Sequence, residues 1–150
     1  MINSADIPND EETHQSSGAS TGTNYSAYIL LREKYCCEDL TEAIFSNEFS
    51  PFQKIHFICS IAVTWDNTAL TCYEHLLEVA PEYKILDLPL SSWIMDKIGL
   101  FSSVDAANIV RKYLNKDTIK GTKIALERIE RNINLNIDPA KTWGRANAKA

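Results

Sequence analysis

Apolar residues recur at intervals of three and four along most of this chain, a spacing that predicts helices rather than strands. Tyr28, Leu31 and Tyr35 mark a first stripe, and Leu40, Ala43 and Ile44 mark a second across 39–47. Ser50-Pro51-Phe52-Gln53 reads as a helix start. Ser50 suits the N-cap, Pro51 the first helical position, where a missing N–H costs nothing, and Gln53 completes a capping box. The helix it opens, 51–64, carries Phe52, Ile55, Phe57, Ile58, Cys59, Ile61 and Ala62, apolar on nearly every side. Such a helix is expected at the centre of a core.

Asp66 or Asn67 is positioned to cap the next helix, 68–80, whose stripe is Ala69, Tyr73, Leu76, Leu77 and Ala80, and Pro81 stops it. Residues 81–88 form a connector that accommodates a short β-hairpin around 83–88. A helix over 89–98 carries Leu90, Ile94 and Ile98 and ends at Gly99, a residue suited to the C′ position. Ser102 and Ser103 open a helix over 103–115 that buries Ala106, Ile109, Val110 and Tyr113. Asp117 is the expected cap of a last helix, 118–135, whose first turn Gly121 weakens by about 1 kcal/mol relative to alanine. The fold class predicted is all-α, an irregular orthogonal bundle of six to seven short helices forming one domain over 24–137. Residues 1–23, with the run Ser16 to Thr23, read as a disordered arm, and 138–150 as a frayed tail with Trp143 its one candidate anchor.

Composition changes this picture little. With 150 residues, 45% of them hydrophobic, the chain has enough apolar mass for a core without covalent staples. The first residues carry Asp6, Asp10, Glu11 and Glu12 where a secretory signal would be basic and then apolar. The longest apolar stretch, Ile55 to Val63, is interrupted by His56 and Ser60 and is too short to cross a bilayer. A cytoplasmic protein is expected, with Cys36, Cys37, Cys59 and Cys72 all reduced.

One spacing suggests metal chemistry: His56 and Cys59, then Cys72 and His75, each pair three residues apart on a helix. Folded back as a hairpin, the four would supply two thiolates and two imidazoles to a tetrahedral zinc. Helical projection argues against it, because Cys59 falls on the core side of its helix and His75 opposite the core stripe of its own. No metal and no other cofactor is expected. The same residues lack an orienting carboxylate for thiol catalysis. No zinc-protease, serine-hydrolase, dinucleotide or P-loop spacing occurs, and only five glycines are present. The sequence therefore predicts a non-enzymatic protein.

Charge divides the chain. Residues 1–108 carry 5 basic and 16 acidic side chains, and residues 109–150 carry 10 and 4. Glu38, Asp39 and Glu42, and further on Glu74, Glu78 and Glu82, form an acidic helical surface, with Trp65 a candidate anchor beside them. The expectation is a protein-binding module that neutralises a basic partner, in the manner of an inhibitor or an immunity protein facing a toxin nuclease. The alternative is a small nucleic-acid-binding regulator that uses Arg111, Lys112, Lys116, Lys120 and Lys123, with 89–98 and 103–115 as a helix-turn-helix. Against it, Glu127 lies four residues from both Lys123 and Arg131, as on an ordinary salt-bridged face.

Overall fold

The computed structural model describes residues 2–7 and 21–142, with Asp6 and residues 21–24 described by backbone alone. Helix accounts for 65% of the structure and strand for 3%, so the fold is all-α. Where one body is expected over 24–137, the chain forms two compact units that divide after Thr64: Met1–Thr64 with Ala140–Ala150, and Trp65–Pro139.

The first unit is built on α3, Pro51–Ala62, against which α1, Thr21–Lys34, and α2, Cys37–Ile44, both pack. The capping box at its start forms as predicted. The Ser50 hydroxyl accepts from the Gln53 N–H at 3.2 Å, and Gln53 Oε1 accepts from the Ser50 N–H at 2.9 Å. Every residue from Gln53 to Ala62 is buried, which is why this helix shows so little polar face. The segment expected to be a disordered arm is structured at both ends. Ser4–Asp6 is a 3-10 turn flanked by buried Ile2 and Ile7, and α1 begins at Thr21. The remainder of that arm, 8–20, and most of the predicted tail, 143–150, lie outside the described residues.

In the second unit α4, Asn67–Val79, packs on α5, Leu90–Ile98, and on α6, Val104–Lys112; α7, Thr122–Asn134, also packs on both. Four helices thus close a ring around Tyr73, Leu76, Ile94, Ile98, Val110 and Ile129, each fully buried. Asp66 and Ser103 cap α4 and α6, each accepting an N–H three residues on, at 3.1 and 3.2 Å. The hairpin is present: β1, Lys84–Ile85, pairs antiparallel with β2, Leu88–Pro89. Leu86 and Asp87 between them both have positive φ, 50° and 67°, the backbone of a type I′ turn.

Two glycines have roles the periodicity misassigns. Gly99 is right-handed at φ −61°, so handedness does not require it. A Cβ there would stand 3.2 Å from Arg128 Nη1 and 3.3 Å from the Met95 carbonyl, a tight fit in which the flexible Arg128 side chain would have to give by a few tenths of an ångström. Gly121, by contrast, has φ 82° and is itself the N-cap of α7. The last helix therefore starts at Thr122, four residues later than the Asp117 cap predicts, because the left-handed glycine breaks helical continuity before it.

Candidate functional site

The two groups of acids meet different fates. On α2, Glu38, Asp39 and Glu42 are all exposed, and none makes an ion pair among the described residues. Glu38 and Asp39 occupy the first turn, where carboxylates complement the exposed N–H groups of the helix start. The Cys36 thiol donates to Asp39 Oδ2 at 3.3 Å. The Glu38 carboxyl is held below its usual range by its own backbone N–H first and by the Cys36 thiol second. Phe45, immediately after α2, is an exposed aromatic on the same stretch.

On α4 the acids are engaged. Glu74 pairs with Lys112 of α6, and Glu78 Oε1 accepts the Tyr113 hydroxyl at 3.3 Å. Burial, with the neighbouring Glu78 charge second, pushes the Tyr113 hydroxyl up to about 12. The hydrogen bond from Lys112 to Glu74 raises the Lys112 ammonium. Only Glu82, exposed beyond the helix end, stays clear of these contacts. The charge contrast read along the sequence is thus partly consumed inside the second unit, where the basic last third meets the acidic α4.

The cations divide in the same way. Arg111 bonds Asn108 Oδ1 at 3.0 Å and lies 3.5 Å from Glu130, while Lys112 is held by Glu74. Lys116 sits over the Tyr113 ring at 4.9 Å, and Lys120 and Lys123 are exposed without an ion pair among the described residues. α5 and α6 each pack on α4 and α7.

Trp65 is half-buried rather than projecting. Its ring meets Phe101 edge-on at 5.1 Å, its backbone is left-handed at φ 51°, and it lines a groove of about 350 Å³ with Ser102, Ser103, Asn136 and Asp138. Asn136, across the groove, is left-handed too, at φ 53°.

The His/Cys set is divided between the two units, His56 and Cys59 in the first, Cys72 and His75 in the second. On α4, Cys72 is buried while His75 is exposed, so the two face different ways. His56 packs its buried ring edge-on against Tyr28 at 4.6 Å, and Cys59 hydrogen-bonds the Tyr28 hydroxyl. Burial first, and Cys59 second, hold that hydroxyl well above the ordinary tyrosine range. Among the described residues no three His, Cys, Asp or Glu side chains stand where they would hold a metal ion, and no helix is long and apolar enough to cross a membrane.

No family model matches this chain, and no curated protein or solved structure does. Two residues with structural roles escape sequence reasoning, Gln53 beyond its capping box and Asn132. Asn132 is buried, and its side-chain amide donates to the Gly99 carbonyl at 3.2 Å and the Phe101 carbonyl at 3.0 Å. Neither contact leaves a local signal, since the partners lie more than thirty residues away.

Proposed function

We propose that this protein is a non-enzymatic binding module that captures a basic protein partner, and that the exposed face of α2 is its principal contact. The observation that supports this reading is the contrast between the helices. Glu74 and Glu78 are committed to Lys112 and Tyr113, whereas Glu38, Asp39 and Glu42 point three carboxylates at solvent beside the exposed Phe45. Unpaired charges of one sign raise the encounter rate with an oppositely charged surface, and a neighbouring aromatic supplies apolar area for the contact core. An inhibitor or immunity-type role, with a basic nuclease as the partner, is the biological form that this chemistry suits, and a cytoplasmic site of action goes with it.

A second reading has one favouring observation. α7 opens at Gly121 with no side-chain cap and no acid in its first turn, and the exposed Lys116, Lys120 and Lys123 flank that start in sequence. Such a helix start favours phosphate.

Charge neutralisation separates the two. The variant Glu38→Gln, Asp39→Asn, Glu42→Gln and the variant Lys116→Gln, Lys120→Gln, Lys123→Gln are compared for retention on an immobilised lysine- and arginine-rich peptide and on a DNA duplex. The α2 variant is expected to lose about tenfold in affinity for the peptide, and the lysine variant to keep the parent's affinity. Steeply salt-dependent DNA binding that disappears in the lysine variant would replace the first reading with the second.

A further inference from the structure

Trp65 and Phe101 line an open groove of about 350 Å³ together with Ser102, Ser103, Asn136 and Asp138. All six belong to the second unit, Trp65–Pro139. Phe101 is buried, and its ring meets the half-buried Trp65 indole edge-on at 5.1 Å and 66°, which limits how the indole can turn. Among the described residues, left-handed backbone outside glycine occurs at Trp65, Leu86, Asp87 and Asn136. The hairpin turn accounts for Leu86 and Asp87. The other two, Trp65 at φ 51° and Asn136 at φ 53°, both line this groove. Such backbone is unfavourable for a bulky aromatic, and strain of this kind clusters where ligands are held.

The lining selects the ligand by charge. Asp138 is the only charged side chain among the described residues of the groove. No lysine, arginine or histidine is among them, so a phosphate or a free carboxylate would meet no counter-charge there. The start of α6 does not reverse this. Ser103 Oγ accepts the Ala106 N–H at 3.2 Å, and Asp105 stands in the first turn, which together offset the positive helix end. An indole and a carboxylate lining one small groove suit a cation, and a planar cation best. A guanidinium stacks on an aromatic face and donates in a fork to a carboxylate. A carboxylate has about four acceptor positions, enough for a backbone contact and a ligand together. We propose that this groove binds an arginine side chain presented by a peptide chain, with Trp65 as the stacking surface and Asp138 as the counter-ion. Its volume of about 350 Å³ lies at the small end of ligand sites, roughly 300–1,000 Å³, and fits one long side chain. The peptide form is preferred to the free amino acid, whose α-carboxylate nothing in the lining would neutralise. The groove and the acidic face of α2 belong to different units, and neither reading rests on the other.

The test is an NMR titration of the full chain with N-acetylargininamide, which carries the side chain without the terminal charges. The Trp65 indole N–H resonance is expected to move in a saturable way in the millimolar range, while that of Trp93, which donates to the Ile85 carbonyl, stays in place. N-acetylcitrullinamide, of the same shape but uncharged, is expected to move neither. Asp138→Asn, a change at an exposed position, is expected to weaken binding of the arginine probe about tenfold. A Trp65 resonance that ignores the arginine probe, or that answers the citrulline analogue equally, would overturn the proposal. So would an unchanged affinity in an Asp138→Asn chain that keeps its helical circular dichroism, or free arginine binding as tightly as its amide. If Asp138→Asn does not fold, the citrulline comparison on the parent decides alone. The chain carrying Glu38→Gln, Asp39→Asn and Glu42→Gln is expected to titrate like the parent, which separates failure of the groove from failure of the α2 reading.

Discussion

Asn132 is a polar side chain on the buried face of an amphipathic helix, and two carbonyls explain it. Gly99 and Phe101 flank the turn between α5 and α6, where helical carbonyls run out of partners, and the Asn132 amide supplies both missing donors. Replacing it with leucine keeps the volume and strands two buried acceptors. The expected cost is about 2–4 kcal/mol, read as a lower urea midpoint at unchanged slope. Tyr113 gives a second residue-scale prediction. Its hydroxyl is part-buried and faces Glu78, so its pKa in the folded state is raised to about 12 from the ordinary 10. The folded state then holds a proton that the unfolded state releases. The stability this contributes is fully present below pH 10 and is lost as pH rises towards 12. Urea unfolding from pH 9 to 12 is expected to show that decline, with a shallower slope in Tyr113→Phe. Gln53 belongs at this scale too: its bond to the Ser50 N–H is readable from a four-residue motif, but its bonds to Ser4 and Ile7 are not.

Local chemistry decided which elements were legible. Ser50, Asp66 and Ser103 each cap a helix by accepting an N–H three residues ahead, so the sequence window that predicts them contains the whole interaction. Asp117 and Gly121 both resemble starts of α7 in the sequence, and only the φ of 82° at Gly121 shows which one interrupts the backbone. The sequence offers the hairpin only as an option, since Leu86 is a poor residue for a turn with two positive φ values. Substituting Leu86→Asn together with Asp87→Gly supplies the residues that such a turn prefers. Leu86 is 45% exposed, so little packing is lost, and the double variant is expected to gain about 1 kcal/mol by chemical denaturation. A loss instead would mean that the Leu86 side chain contributes more than the backbone strain it carries. Trp93, whose indole N–H donates to the Ile85 carbonyl at 3.0 Å, ties this hairpin to α5.

At the scale of the molecule, sequence conveyed the charge contrast but not its destination. A run of acids followed by a run of bases looks the same whether the two pair with each other or face different partners. The helix ring of the second unit brings Glu74 to Lys112, Glu78 to Tyr113 and Asp96 to Arg128, which removes much of the contrast from the surface. Glu38, Asp39 and Glu42 lie on a helix of the first unit, and no ion pair among the described residues involves them. Periodicity likewise reported helices without showing that they form two compact units, because a break at Thr64 and Trp65 reads like any other interhelix turn.

The most direct test of the binding account is an NMR titration of the ¹⁵N-labelled chain with a lysine- and arginine-rich peptide at low salt. The prediction is that the backbone amides of α2, Cys37–Ile44, and of Phe45 move in a saturable way, while those of α4, Asn67–Val79, stay in place. Shifts confined to α4, or no shift on α2 at peptide concentrations that saturate other acidic surfaces, would contradict it.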